Sequence, residues 1–130
     1  MPEREVLYLL PGLLCDRVTW AHQIEGLADV AEIRVPSFYG FDSLTAMADS
    51  VLAEAPERFA VAGHSMGARV ALELVRAAPQ RVERLALLDT GTHPVREGEA
   101  EKRQELVDLA FREGMAALAA RGATRRSCAC

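Results

Sequence analysis

A serine flanked by two glycines lies where the sequence predicts a sharp turn between a strand and a helix. The segment Gly63-His-Ser-Met-Gly67, called the elbow below, follows the apolar strand 59–62 and precedes the helical stripe 66–78. A residue at the tip of such a turn is forced into a strained backbone conformation, and glycines two positions to either side avoid collisions with the strand and the helix. The Ser65 hydroxyl is therefore predicted to stand clear of the sheet as a nucleophile.

Two backbone amides are predicted to stabilise the negative charge that attack by Ser65 creates. The Met66 N–H belongs to the first turn of the following helix, whose amides point toward the substrate. A second donor is expected from the turn 11–14 after the first strand, where Gly12 lets the backbone direct the Leu13 N–H to the same point. The two turns together predict an oxyanion hole.

The elements that position the elbow alternate between strands and helices. Four apolar runs predict buried strands, at 6–10, 30–35, 59–62 and 82–88. Three stretches with helical spacing lie between them, at 17–28, 44–52 and 66–78, and Asp16 and Ser43 can cap the first two. Helical crossovers between successive strands require a parallel sheet. We therefore predict an α/β fold with three α-β-α layers and ligands at the carboxyl ends of the strands.

At these residues the chain resembles the α/β-hydrolase family, in particular its small cytoplasmic esterases and lactonases with a serine nucleophile. Three segments carry the resemblance: Leu-Leu-Pro-Gly-Leu-Leu-Cys-Asp16 with Trp20, Val-Ala-Gly-His-Ser-Met-Gly-Ala-Arg-Val-Ala-Leu72, and Leu85-Ala-Leu-Leu-Asp-Thr90. The resemblance implies Ser65 as nucleophile and the Leu13 and Met66 amides as the oxyanion hole. It implies the sheet order 2-1-3-4 for the four predicted strands. It also implies hydrolysis of a small-molecule ester or acyl substrate, with no cofactor and no metal.

The family also implies a histidine base and an acid that orients it, on strands later than those found here. We accordingly expect the amino-terminal half of such a fold: a core fragment at 1–96, a segment at 97–121 resembling the start of a cap, and a disordered tail at 122–130. A single helix is predicted at 105–120. The patternless tail favours a truncated or frameshifted product, which re-reading the coding DNA beyond codon 121 would test.

Two alternatives stay open. In one, Ser65, Asp89 and His93 form an unusual triad within this chain, because their order is that of the family and Asp89 ends the strand beside the elbow strand. In the other, the chain is an inactive fragment that associates with itself through an exposed edge of the sheet. Fluorophosphonate labelling and ester turnover distinguish these alternatives.

Composition and charge argue against several classes of binding partner. The 130 residues are 50% hydrophobic, enough for one domain, and 15 Lys and Arg against 19 Asp and Glu give a net charge of −4. Nucleic acid is not expected as a partner because no basic stripe precedes the tail. The apolar run 6–15 is too short for a membrane span, so we expect a cytoplasmic protein. The single histidines and three cysteines show neither disulfide nor metal-ligand spacing.

Four residues near the predicted site have a structural interpretation beside a functional one. Cys15 is interpreted as a small apolar filler rather than a nucleophile, since the sequence places no His or Asn beside it that could activate the thiol. His64 leaves the elbow in a different direction from Ser65 and is assigned to packing or to substrate lining. Trp20 fits an acyl pocket or the core, and Asp89 is expected to brace its loop. His22, on a helix, has no assigned role.

Overall fold

The chain folds into two compact units, and a computed structural model describes residues 4–124. The first unit extends to Thr90, and the second begins at Gly91. The sequence placed the corresponding boundary between residues 96 and 97. The first unit contains the elbow and both predicted oxyanion donors.

The first unit is built on a four-stranded, all-parallel sheet in the order β2-β1-β3-β4, which confirms the predicted class and strand order. Its strands are β1 Glu5–Leu10, β2 Ala31–Arg34, β3 Phe59–His64 and β4 Val82–Leu88. Its α-helices are α1 Ala21–Leu27, α2 Leu44–Glu54 and α3 Met66–Ala77.

The boundaries of these elements differ from the predicted ones where tertiary pairing decides them. Strand β3 continues to His64 because its last residues pair with Leu87 and Leu88 of β4. The predicted helix 17–28 starts with a 3-10 turn at Arg17–Trp20, a common way to begin a helix. The predicted cap is confirmed there, since the Asp16 carboxylate accepts a hydrogen bond from the Val18 N–H at 2.9 Å.

One face of the sheet packs against α2 and α3. Alternate side chains of β1 and β3 point to this face, as the pleat of a strand requires. They form a buried cluster with both helices: Val6, Tyr8, Leu10, Phe59, Val61, Met47, Ala48, Val51, Val70, Ala71 and Leu74. The 3-10 turn lies at the opposite face, where Trp20 contacts His64. Helices therefore cover both faces, as the predicted three-layer arrangement requires.

An arginine stabilises the amino end of β3. The Arg81 guanidinium donates hydrogen bonds from its Nη atoms to three main-chain carbonyls at the carboxyl end of α2, those of Leu52, Ala55 and Pro56. It also lies over the Phe59 ring, 5.9 Å from the centroid. These carbonyls lie in the last turn of α2 or just beyond it, where intrahelical N–H donors are lacking, so the half-buried guanidinium supplies the missing donors.

The second unit contains two helices, α4 Glu99–Glu113 and α5 Met115–Thr124. The prediction of a single helix over 105–120 is wrong. Gly114 separates the two helices with φ 87° and ψ 172°, a conformation essentially restricted to glycine. Helix α5 includes residues 122–124, which the sequence assigned to the tail, and the remainder of the predicted tail lies outside the described residues. Across residues 4–124, none of the helices is long and apolar enough to cross a membrane.

An ion pair marks the first turn of α4. The Arg103 guanidinium donates a hydrogen bond to the Glu99 carboxylate, which also accepts one from the Arg96 N–H. These two hydrogen bonds lower the pKa of Glu99 from 4.5 to about 2. The acidic side chain also lies at the amino end of its helix, where the helix dipole favours negative charge.

Candidate active site

The backbone at Ser65 has the strained turn that the elbow predicts. Ser65 lies between the end of β3 and the start of α3, with φ 53° and ψ −113°. Non-glycine residues rarely adopt positive φ because the Cβ atom crowds the following carbonyl. The Ser65 N–H donates a hydrogen bond to the Leu88 carbonyl at 2.9 Å, so the adjacent strand holds the turn in place.

Glycines allow the strand, the helix and the loop after β1 to meet at this turn. A Cβ atom on Gly63 would lie only 2.5 Å from the backbone nitrogen of Ala68, in the first turn of α3. A Cβ atom on Gly67 would overlap the carbonyl oxygen of Leu10 and lie 2.7 Å from that of Pro11. Such approaches leave no room for a side chain, so both positions require glycine.

The strained residues of the described chain all follow the carboxyl ends of strands. Positive φ occurs at three non-glycine residues within residues 4–124: Leu14 at 59°, Ser65 at 53° and Asp89 at 51°. They follow β1, β3 and β4, which are neighbours in the sheet. Backbone strain of this kind costs about 1–3 kcal/mol per residue and persists where the surrounding structure enforces it, often at functional sites. The edge predicted to bind ligands is therefore the strained edge.

The loop after β1 lies against the elbow helix, through the contact of Gly67 with Leu10 and Pro11. It closes as a tight turn, in which the Cys15 N–H donates to the Gly12 carbonyl at 3.1 Å. Leu13 and Leu14, at the tip of this turn, are exposed. Met66 is the first residue of α3, where amides lack acceptors within the helix. The loop and the helix terminus are thus adjacent, and the Leu13 and Met66 amides remain the predicted oxyanion donors.

His64, next to the nucleophile, is the only buried polar or charged side chain recorded in the described core, and it is 8% exposed. Its Nε2 atom lies 3.7 Å from a carboxylate oxygen of Asp89. Its ring contacts Trp20 edge-on, with 6.4 Å between the ring centroids. The packing interpretation fits this environment, but the contact with Asp89 was not predicted. The strand register explains the contact, because His64 pairs with Leu88, the residue before Asp89.

The structure also gives the positions of the other candidate residues named from the sequence. His93 lies in the second unit, where its Nδ1 atom is 2.8 Å from the Pro94 carbonyl oxygen. Cys15 is half-buried in the loop after β1, and His22 is exposed on α1. Trp20 is buried, in keeping with the core interpretation. Among residues 4–124, no group of three His, Cys, Asp or Glu side chains is arranged to hold a metal ion.

Comparison with known proteins shows the same fold in proteins described as esterases and hydrolases. An esterase from Thermogutta terrifontis has 27% identity and a TM-score of 0.71 over 85% of this chain. An N-formylmaleamic acid deformylase from Pseudomonas putida has 31% identity and a TM-score of 0.61, also over 85% of this chain. A carboxylesterase from Nitrososphaera gargenis has 18% identity and a TM-score of 0.77 over 92%, which shows the fold alone.

Sequence comparison gives one further relative. The biotin biosynthesis bifunctional protein BioHC of Cellvibrio japonicus is 32% identical over 87 residues, which cover 61% of this chain and 17% of that protein. No protein-family model matches the sequence. The chain spans 46% to 50% of the solved structures described above. The resemblance to the α/β-hydrolase family is confirmed: the chain has the α/β-hydrolase fold, over about half the length of these structures.

Proposed function

We propose that this chain carries the nucleophile of a serine hydrolase that acts on a small-molecule ester or acyl substrate. The observation that carries the proposal is the backbone of Ser65, which has φ 53° and ψ −113° at the junction of β3 and α3. A strained serine between two sterically required glycines matches the geometry needed to expose a nucleophilic hydroxyl above the sheet. The esterase from Thermogutta terrifontis, which is 27% identical, supports the ester class of substrate.

The proposed reaction proceeds through an acyl-enzyme. The Ser65 Oγ atom attacks the carbonyl carbon of the substrate, while its proton passes to a base and the carbonyl electrons move to the oxygen. The Leu13 and Met66 amides stabilise this oxyanion, a contribution of about 100- to 1000-fold per donor in known cases. Collapse of the intermediate expels the alcohol, and water then hydrolyses the ester on Ser65. The chemistry needs no metal and no cofactor.

His93 is the candidate base within this chain, in a triad with Ser65 and Asp89. In a triad, the acid accepts a hydrogen bond from the histidine Nδ1. The Nδ1 atom of His93 is instead engaged by the Pro94 carbonyl at 2.8 Å, which disfavours the triad of Ser65, Asp89 and His93. We therefore propose that the base comes from outside the residues described, and that the chain alone forms the elbow without efficient turnover. The cytoplasmic location, expected from the composition, is part of the same proposal.

Labelling with a fluorophosphonate tests this proposal on the chain itself. The reagent is expected to modify Ser65, detected as an added mass on the peptide that contains the elbow, and a Ser65→Ala variant is expected to remain unlabelled. Hydrolysis of a p-nitrophenyl ester is measured in parallel. Labelling is expected to be slow because the hydroxyl lacks an adjacent base, and a rate at Ser65 no higher than that at exposed serines of correctly folded protein would contradict the proposed nucleophile.

Turnover separates the alternatives for the base. Labelling with negligible hydrolysis supports a formed elbow without its base, whereas labelling with sustained hydrolysis supports His93 as the base. The variant His93→Ala then decides, because a triad residue lowers kcat by several orders of magnitude and His22→Ala serves as a matched control.

A second candidate function is self-association through β4. This strand forms one edge of the sheet, and its leucines are exposed: Leu85 by 41%, Leu87 by 39% and Leu88 by 38%. Exposed apolar edge strands template pairing with other chains. Sedimentation of the wild type is expected to show dimers or larger species that Leu85→Lys reduces. The same change at the exposed Val18, away from the edge, is the control, and a monomeric wild type would contradict this candidate.

A further inference from the structure

The loop after β1 rests on the imidazole of His64. A Cβ atom built on Gly12 would lie 3.0 Å from the Nδ1 atom of His64 and 3.4 Å from its Cε1 atom. The Gly12 backbone therefore faces the edge of the imidazole ring. Leu13, whose amide is the predicted oxyanion donor, is the next residue in this loop.

The imidazole is itself held from two other sides. Trp20 contacts the ring edge-on, and both side chains are buried. The Nε2 atom faces the Asp89 carboxylate at 3.7 Å, whereas the Nδ1 atom is buried with no hydrogen-bond partner among residues 4–124. A carboxylate near Nε2 favours the tautomer that carries its proton on Nε2. The nitrogen directed toward Gly12 is then the unprotonated one.

An apolar side chain would fill the space between Gly12 and Trp20 more favourably than an imidazole if packing were its only role. A buried polar atom without a partner destabilises the fold. The Asp89 carboxylate lies near only the opposite nitrogen, and Asp89 adopts a positive φ of 51° at this position. The arrangement links three neighbouring loops, those after β1, β3 and β4, through one side chain.

We propose that His64 is a positioning residue for the oxyanion loop. Its ring, held by Trp20 and Asp89, supports Gly12 and thereby sets the direction of the Leu13 N–H. The catalytic consequence rests on the proposed function, but the structural coupling does not. His64 touches neither substrate nor reacting atoms in this proposal and acts through the loop.

The structural coupling is tested by the backbone amide resonance of Leu13 in ¹⁵N-labelled protein. The variants are His64→Ala, which removes the support, and Asp89→Asn, which removes only the charge and retains a residue tolerant of positive φ. Both are expected to shift the Leu13 resonance, and His64→Ala by more. His22→Ala, an exposed histidine on α1, is expected to leave it unchanged. An unchanged Leu13 resonance in both test variants would overturn the proposal.

The catalytic consequence is tested by the rate of fluorophosphonate labelling at Ser65. His64→Ala is expected to slow labelling about 10- to 100-fold, because small misplacements of a catalytic group have effects of this size. His64→Gln, whose amide reaches the position of Nε2, is expected to recover most of the rate. The saturating rate constant should fall while the concentration for half-maximal rate stays constant, which a general loss of folding would not produce.

A double-mutant cycle tests the contact itself. Gly12→Ala places a methyl group against the ring and is expected to slow labelling in the wild type but to have a smaller effect in the His64→Ala background. Additive effects would argue against the contact. A wild type that is not labelled contradicts the proposed function alone, since the Leu13 resonance still decides whether His64 supports the loop.

Discussion

The two ends of strand β3 differ in backbone strain and in the pairing of their main-chain polar groups. At the amino end, Phe59 is fully buried, its N–H donates to the Arg81 carbonyl at 2.9 Å, and the Arg81 side chain satisfies three more carbonyls. At the carboxyl end, Ser65 has a strained backbone and the buried Nδ1 atom of His64 has no hydrogen-bond partner among the described residues. The amino end pairs its main-chain groups, although the buried Arg81 Nε atom also has no partner among the described residues, whereas the carboxyl end combines an unpaired polar atom with backbone strain.

This difference shows how the unit tolerates a strained nucleophile. Strain of about 1–3 kcal/mol at a residue must be opposed by the surrounding structure. At the elbow this opposition comes from backbone packing at Gly63 and Gly67 and from the Ser65–Leu88 hydrogen bond. The contacts that enforce the strain lie at the elbow itself, so substitutions there should affect both stability and labelling, whereas substitutions at the amino end should affect stability alone.

The largest effect is expected where the packing that enforces the strain is broken. In Gly67→Ala, the new methyl group overlaps the Leu10 carbonyl, so the helix must move away from β1. We expect a loss of about 3 kcal/mol or more in the free energy of unfolding, measured with urea, together with loss of Ser65 labelling. Gly26→Ala is the matched control, because a Cβ atom on Gly26, in α1, would have no other atom within 4 Å. Its free energy of unfolding should rise by up to about 1 kcal/mol.

A smaller effect, confined to stability, is expected at the amino end. Arg81→Ala leaves the carbonyls at the end of α2 without their donor and should cost about 2–3 kcal/mol, as hydrogen bonds to charged groups do. Labelling of Ser65 should remain at the wild-type rate while the protein is folded. Arg76→Ala, an exposed arginine paired with Glu73 on α3, should cost less than about 0.5 kcal/mol. A loss of labelling in folded Arg81→Ala would contradict the separation of the two ends.

Local signals in the sequence were sufficient for the secondary-structure elements of the first unit. The caps Asp16 and Ser43 both accept the hydrogen bonds that their positions predict, at 2.9 and 3.1 Å. The parallel strands followed from the helical crossovers, and the sheet order, which the family resemblance implied, was confirmed. The roles of the elbow residues stay predictions, although Gly63 and Gly67 have no room for a side chain.

Features that depend on contacts between distant segments were not predicted. The proximity of His64 and Asp89 requires the register of β3 against β4 and the positive φ of Asp89, neither of which periodicity reveals. The break at Gly114 had a local signal, a glycine within a helical stripe, but glycine in a helix is often tolerated. The helical stripe does not show that this glycine takes φ 87° and ends α4.

The smallest expected effect, and the sharpest comparison, comes from relieving the strain at the nucleophile itself. Glycine adopts φ 53° and ψ −113° without a Cβ clash, so Ser65→Gly should raise the free energy of unfolding by about 1 kcal/mol and abolish labelling. Ser65→Ala should abolish labelling without the gain, because alanine keeps the Cβ atom. Urea unfolding of the two variants measures the difference. Because glycine loses about 0.5–1 kcal/mol more backbone entropy on folding, equal stabilities would limit the strain to about that amount, and the positive φ of Ser65 would lose value as a sign of function.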